Sequence, residues 1–303
     1  MLTIKRNYLK AKKIDLMSTK TYEALAEFFE THQQNLIQFY PGLTLRRLEQ
    51  EWSLFSRITS QPLSLFLQKL KQGIPLAYIS GSSYFYKAEF FITPDVLIPR
   101  YETEILVEMG VKEIFKIAQG PNSIIRIADM GTGSGAIILS LLQDCTLIKN
   151  QIEATATDIS QAALNVAKTN YDSLRTHLAS NHKLTFLHAD RLTKLSTPQQ
   201  LIITNPPYIK AKEDLSTVHP MVKKFEPELA LFLKDDEYEN WFENMFIQAY
   251  NLLQMEGVFL MEGHENHLPL LSKIAAHCGL SQITIHPDLT GRKRFLRACR
   301  IKE

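Results

Sequence analysis

Residues 123–135 read SIIRIADMGTGSG. A run of apolar residues ends on Asp129 and Met130 and passes directly into Gly131-Thr132-Gly133-Ser134-Gly135. The next residues, AIILSLLQ to Gln143, have the length and apolar content of a helix packed in a core. Strand, glycine turn and helix in that order form the opening unit of a sheet wound with crossover helices. The pattern continues outward from this point. Strands are predicted at Glu153–Asp158, Leu184–Asp190, Leu201–Asn205 and Gly257–Glu262. Helices are predicted over Ser160–Tyr171, Trp241–Leu253 and His267–Cys278, and Gln282–His286 with Phe295–Cys299 make a closing strand pair. Alternation of this kind implies an α/β fold with a mostly parallel, doubly wound sheet and helices on both faces.

Upstream of this region the texture differs. Ser18 or Thr19 is placed to cap a helix reaching about Phe39, with Tyr22, Leu25, Ala26, Phe29 and Leu36 on one face. Pro41-Gly42 breaks it, and further helices are predicted from about Leu43 to Ile58 and from Pro62 to Lys71. Tyr84, Phe85, Tyr86, Phe90, Phe91 and Ile92 are rich in strand formers, interrupted by Lys87-Ala88-Glu89, and read as a hairpin. The expected organisation is a helical domain over residues 1–78, a β-hairpin linker over 79–98 and the α/β domain over 99–303.

The chain has 303 residues, 45% of them apolar and 22% charged, the texture of a globular protein with a substantial core. No apolar run is long enough to span a membrane. Lys5, Arg6, Lys10, Lys12 and Lys13 are followed by no apolar stretch or cleavage site of a secretory leader. The three cysteines, Cys145, Cys278 and Cys299, are odd in number and far apart, which suits a reducing cytoplasm and gives no metal pattern. Residues 1–80 hold eleven Lys/Arg and six Asp/Glu, so +5 of a total of +2, leaving −3 for the remainder. That basic region could face RNA or an acidic partner, or be an ordinary solvated helical surface.

Four features carry chemistry. The Gly131–Gly135 loop lets a ligand lie against backbone without a Cβ in the way, and the helix behind it offers unpaired N–H groups. Asp158, at the tip of the second strand, is placed to accept both ribose hydroxyls of a nucleoside, or to cap the helix that follows Ser160. To this point NAD and S-adenosylmethionine fit equally, and Ala136 even completes a dinucleotide spelling. Asp190, at the third strand tip, could accept from an adenine amino group with Arg191 stacked on the ring, or simply form a turn.

The fourth feature, Asn205-Pro206-Pro207-Tyr208 after the fourth strand, separates the two donors. Two prolines have no N–H and little backbone freedom. The Asn205 side-chain oxygen and the Pro206 carbonyl can each accept one hydrogen of an incoming NH₂ group, and Tyr208 can pack flat on a planar acceptor. A dehydrogenase has no use for such a loop, whereas a methyl transfer to a conjugated nitrogen needs that nitrogen oriented.

These motifs resemble those of class I, Rossmann-like methyltransferases acting on exocyclic or amide nitrogens. More narrowly, the chain resembles the peptide chain release factor N5-glutamine methyltransferases, the HemK/PrmC family. Supporting stretches are Pro75–Ile79 with Gly81, Leu97–Arg100, Glu102–Glu104 before Leu106–Glu108, Phe225–Pro227 with Leu229–Leu231, and Asp288–Arg292; the likeness covers about residues 73–303. It implies methylation of the Gln in the Gly-Gly-Gln motif of class I release factors. Donor binding would then fall to Gly131, Thr132, Gly133, Ser134, Gly135, Asp158 and Asn205, joined on the strand-tip reading by Asp190 and Arg191, and acceptor binding to Asn205, Pro206, Pro207 and Tyr208, with Asn205, Pro206 and Tyr208 catalytic. Neither a metal, a membrane nor direct nucleic-acid binding is expected, and a monomer is.

Arg191 and the Gly263-His264-Glu265-Asn266 segment after Glu262 depart from the family's usual pattern. Arg100 either shapes the glutamine pocket or docks the partner, with Phe225 and Glu226, or pairs with Glu102 or Glu104 as surface structure. Competing readings are a glutamine methyltransferase acting on a ribosomal protein, an adenine-N6 methyltransferase of nucleic acid, and a donor-binding adaptor without activity.

Overall fold

The computed structural model describes residues 18–120 and 124–301. The basic residues between Lys5 and Lys13, and Ser123 at the expected start of the first long strand, lie outside the described residues. In chain order the helices are α1 (Thr19–Phe39), α2 (Leu45–Thr59), α3 (Leu63–Lys71), α4 (Leu76–Ser80), α5 (Thr103–Ala118), α6 (Ala136–Asp144), α7 (Gln161–Leu174), α8 (Pro220–Phe225), α9 (Glu228–Leu231), α10 (Tyr238–Leu252) and α11 (Leu268–His277). The strands are β1 (Ser82–Phe85), β2 (Ala88–Phe91), β3 (Ile124–Met130), β4 (Gln151–Asp158), β5 (Lys183–His188), β6 (Gln199–Thr204), β7 (Ile209–Lys210), β8 (Phe232–Leu233), β9 (Leu253–Glu262), β10 (Ser281–Pro287) and β11 (Lys293–Cys299).

The described residues divide into two compact units, one within residues 18–82 with 220–225 and the other within residues 83–219 with 226–301. The smaller is helical. Ser18 caps α1 by accepting from the Thr21 N–H, and Thr44 caps α2 by accepting from the Arg47 N–H. The buried stripe of α1 is Leu25, Phe28 and Leu36, whereas Tyr22, expected on that face, is 45% exposed. These side chains close on Leu48 and Phe55 of α2 and Phe66 and Leu70 of α3. The Tyr40 hydroxyl donates to the Ile74 carbonyl at 2.6 Å, tying the end of α1 to the chain after α3.

In the larger unit, β1 and β2 form a two-stranded sheet whose turn is Tyr86-Lys87, with Tyr86 in the left-handed region at φ 56°. Ala88 and Glu89 therefore belong to β2 rather than to an interruption. Asn170 of α7, fully buried, donates to the carbonyls of Phe91 and Ser134 and accepts from the Phe91 N–H. It thus links β2, α7 and the glycine loop.

A seven-stranded sheet has the order β10-β11-β9-β6-β3-β4-β5. The five strands from β9 to β5 are parallel to their neighbours, and β11 and β10 close the sheet antiparallel. The order reverses between β3 and β6. This is the switch point at which doubly wound sheets leave a crevice beyond the strand ends. All six residues of β6 are buried, as expected for a strand covered on both faces. One face carries the cluster built on Phe242, Phe246, Phe259 and Leu296. Among the described residues, no helix is long and apolar enough to cross a membrane.

On the other face α5 packs closely against α6, and the contact is set by Gly110. A Cβ added there would stand 2.8 Å from Leu141 Cδ2 and 3.1 Å from Ile203 Cδ1, both on fully buried side chains. Gly110→Val is therefore expected to destabilise by about 1–3 kcal/mol through overpacking, outweighing a helix-propensity gain below about 1 kcal/mol. A lower urea midpoint at unchanged slope is the expected result; an unchanged or higher midpoint would refute the close contact.

Candidate active site

Strand register brings the site together. Met130 at the end of β3 is paired with Thr157 of β4 and Thr204 of β6, and Thr204 with Met261 of β9. The residues that follow these, Gly131, Asp158, Asn205 and Glu262, therefore stand side by side at the carboxyl edge of four adjacent parallel strands. The Thr204 hydroxyl donates to the Met130 carbonyl at 2.8 Å, pinning the two central tips together. A cleft of about 380 Å³ opens above them. Of the residues singled out in the sequence, Gly131–Ser134, Asp158, Asp190, Arg191 and Asn205–Pro207 line it, while Gly135 and Tyr208 do not.

The three glycines of the loop have different duties. All take positive φ, at 69°, 55° and 80°. A Cβ at Gly131 or Gly133 would meet nothing within 4 Å, so these two glycines serve the backbone conformation and leave the space beside them open. At Gly135 it would stand 3.2 Å from Leu139 Cδ1 and 3.3 Å from Ala167 Cβ, so this glycine serves the packing of α6 on α7.

The Asp158 carboxylate is held from two sides. One oxygen accepts from the Gly133 N–H and the other from the Ser160 N–H, both at 2.9 Å. The cap of α7 itself is Ser160, which accepts from the Ala163 N–H. Asp158 thus fastens the glycine loop to the α7 entry. Each oxygen keeps a further lone pair, and burial raises the pKa of the group. Beneath it lies Asp129, fully buried and hydrogen-bonded by the Thr132 hydroxyl at 2.6 Å. Burial pushes its carboxyl up to about 7, with the neighbouring Asp158 adding to the effect. The sequence signal for Asp129 was an acid closing an apolar strand just before the loop.

Asn205 is oriented by a buried relay. Its Nδ2 donates to Thr103 Oγ1 at 3.2 Å, and the Thr103 hydroxyl donates to Glu262 Oε2 at 2.6 Å. The other Glu262 oxygen accepts from the Tyr208 hydroxyl at 3.0 Å. Glu262 is fully buried, and its pKa is raised by that burial against the pull of the two hydroxyls. Burial and the facing Glu262 charge hold the Tyr208 phenol well above its ordinary value. One carboxylate therefore fixes both ends of the Asn205–Tyr208 loop. With Nδ2 occupied, Asn205 Oδ1 is left as an acceptor. Thr103 and Glu262 lie 159 positions apart, and no local pattern announces the pair.

At the far end of the cleft Asp190 follows β5 by two residues and pairs with Arg191 at 2.8 Å. The Arg191 guanidinium stands 5.3 Å from the centre of the Trp241 ring and donates to the Trp241 carbonyl. Ile159, 49% exposed beside Asp158, supplies an apolar wall that no sequence motif marks. At the opposite rim Arg100 pairs neither with Glu102 nor Glu104. It donates to Glu226 at 2.6 Å, and Glu226 also accepts from the Ile98 N–H. Glu104 instead accepts from the Tyr86 N–H. Arg100 is one of the cleft-lining residues.

Residues 115–230 match the model of the methyltransferase small domain family. The chain is 35% identical over 240 residues to a release factor glutamine methyltransferase of Bacillus anthracis, covering 77% of this chain and 79% of the relative. It is 31% identical over 244 residues to the enzyme of that description from Lactococcus lactis, covering 79% and 84%. The hMettl16 catalytic domain in complex with MAT2A 3'UTR hairpin 1 shares the fold, with a TM-score of 0.50 at 14% identity over 70% of this chain and 74% of that one.

Burial of the Asp129 carboxyl makes stability depend on pH. Its folded-state pKa of about 7 lies above the ordinary value of 3.8. The native state therefore holds that proton more tightly, and stability falls as pH rises from about 4 to about 7 and is flat above. Asp129→Asn keeps an acceptor for Thr132 and removes this loss. Its melting temperature relative to the parent chain should climb by several degrees between about pH 5 and about pH 8; a difference that does not change with pH would contradict the assignment.

Proposed function

The chain belongs to the release factor glutamine methyltransferase family, and from that premise we propose that it methylates N5 of a glutamine side chain. The glutamine is that of the Gly-Gly-Gln motif in class I peptide chain release factors, and S-adenosylmethionine is the donor. The observation that carries this reading is the Asn205–Pro207 wall, set one strand from the Gly131–Gly133 loop in a single cleft, with Asn205 Oδ1 left free to accept.

The residues present fit an adenosine-bearing donor. Two glycines without space conflicts leave room for a ligand against the backbone, and a pinned carboxylate with spare lone pairs suits a ribose diol. The cleft volume lies within the usual range for small-ligand sites. When bound, S-adenosylmethionine supplies an electrophilic methyl group on a sulfonium centre. Gly131, Thr132, Gly133 and Ser134 would hold its amino-acid chain, Asp158 would accept from the ribose, and Ile159 with Asp190 and Arg191 would flank the adenine.

An amide nitrogen is a weak nucleophile because its lone pair is shared with the carbonyl. Asn205 Oδ1 and the Pro206 carbonyl each accept one of its hydrogens. They fix the nitrogen's direction and favour the positive charge that grows on it in the transition state. Pro206 and Pro207 have no N–H and little freedom, so these acceptors are set before the substrate arrives. Tyr208 does not line the cleft, so instead of packing flat on the acceptor amide it anchors the end of the loop through Glu262. Neither His188 nor His264 lines the cleft. None is required, since an alkylated amide nitrogen is acidic enough to lose its proton to water. In this reading residues 1–78 dock the release factor, 79–98 link, 99–303 carry the chemistry, and the work is done in the cytoplasm by a monomer.

The test is mass spectrometry of a release factor after incubation with the protein and labelled donor. One added methyl on the Gly-Gly-Gln glutamine is expected, and label entering only a ribosomal protein or a nucleic acid would overturn the proposal. Asn205→Ala should lower turnover at least about 100-fold, the scale of a lost transition-state acceptor. Glu262→Gln, which leaves one of two buried hydroxyls without its acceptor, should cost about 10–100-fold with the fold retained. Undiminished turnover in either variant would contradict the relay.

A further inference from the structure

A second cluster of chemistry-bearing side chains lies outside the cleft. Asp214 precedes the short 3₁₀ turn Leu215–Thr217, His264 lies in the Gly263–Asn266 segment that departs from the family's usual spelling, and His267 directly follows that segment. His267 Nε2 is 2.8 Å from Asp214 Oδ2, and one ligand atom from each of the three residues lies within 4.8 Å of the others. The two imidazole centres are 4.9 Å apart. Asp214 and His267 are each 5% exposed, and His264 is half-buried. The His264 carbonyl accepts from the N–H groups of His267 and Leu268, so the chain makes one tight turn that sets both rings on the same side.

Three features separate this trio from an ordinary buried hydrogen bond. A His–Asp pair alone would satisfy His267, yet a second imidazole, that of His264, is held against the first, its Nδ1 accepting from the Asn266 N–H at 3.3 Å. Two imidazoles and one carboxylate, with a further position left to water, are a donor set of zinc sites. The set has too few oxygens for calcium or magnesium. Outer partners are also in place. Asp214 Oδ2 accepts from the Lys210 N–H at 2.9 Å, and the His267 ring packs on Tyr238 with centroids 5.3 Å apart.

We propose that Asp214, His264 and His267 bind one divalent ion of the zinc class. The ion takes the place of the proton between His267 and Asp214, which is released to solvent. It binds outside the donor cleft and takes no part in methyl transfer. Its place in the fold gives it a bracing role. Residues 209–214 run directly from Tyr208 to Asp214, and His264 stands two residues beyond Glu262, so the ion would clamp these two segments together. Tyr238, which covers His267, donates its hydroxyl to the Tyr208 carbonyl at 3.1 Å. The inference stands whatever the methyl acceptor proves to be.

The test uses untagged full-length chain, stripped with chelator and titrated with Co²⁺ and then Zn²⁺. One ion per chain by elemental analysis, a visible Co²⁺ band lost on adding Zn²⁺, and a melting temperature raised by Zn²⁺ are expected. His264→Ala, at the half-buried ligand, should melt like the parent in chelator and bind the ion at least about tenfold more weakly, since even outer partners of ligands cost that much. Asp214→Asn should weaken binding likewise. No saturable Zn²⁺ or Co²⁺ binding to the folded parent chain, equal binding by folded His264→Ala, or preference for Mg²⁺ would overturn the proposal.

Discussion

The register of four parallel strands governs everything that the larger unit does. Because Met130 is level with Thr157 and Thr204, and Thr204 with Met261, the chain leaves β3, β4, β6 and β9 at one height. A glycine loop, an acid, an acceptor loop and a buried carboxylate then emerge as neighbours, although they are drawn from residues 131 to 262. A slip of one residue on β6 would turn every side chain of that strand to the opposite face. Six buried positions on β6 make such a slip costly, so the core that stabilises the sheet also holds the cleft in alignment.

On this edge Glu262 has the most demanding position. A fully buried carboxylate is expensive unless its oxygens are satisfied, and here two hydroxyls, from Thr103 and Tyr208, satisfy them. The cost of burial is offset by an arrangement that leaves Asn205 a single orientation. The same logic applies to Asp158, whose carboxylate is occupied by two backbone N–H groups and so cannot swing out of the cleft. Rigid acceptors suit a reaction in which the protein's main contributions are alignment and fixed dipoles.

Most of the α/β architecture was legible because apolar runs of strand length alternate with helical stretches, with Gly131–Gly135 and Pro206-Pro207 as unambiguous punctuation. What was missed has physical reasons. The expected strand ending at Asp190 stops at His188, and Asp190 turns back to pair with Arg191. Helix α5 was not foreseen, although Leu106, Val107, Gly110 and Ile114 form its buried face. It begins at Thr103 without a side-chain cap, so the usual start signal is missing. Arg100 finds Glu226, 126 positions away, instead of the nearby acids, and Thr103 finds Glu262. Pairings of this kind are fixed by topology, and local spacing carries no trace of them. The Asn205–Tyr208 stretch, by contrast, is recognisable as a motif because its four residues are consecutive.

The most direct test of the account is a crystal structure of the protein with S-adenosylmethionine and an inert analogue of the acceptor glutamine segment. The donor methyl is expected about 3–3.5 Å from the amide nitrogen, with the amide hydrogens directed at Asn205 Oδ1 and the Pro206 carbonyl. An acceptor nitrogen seated away from that loop, or a donor bound anywhere but against Gly131–Ser134 and Asp158, would contradict it.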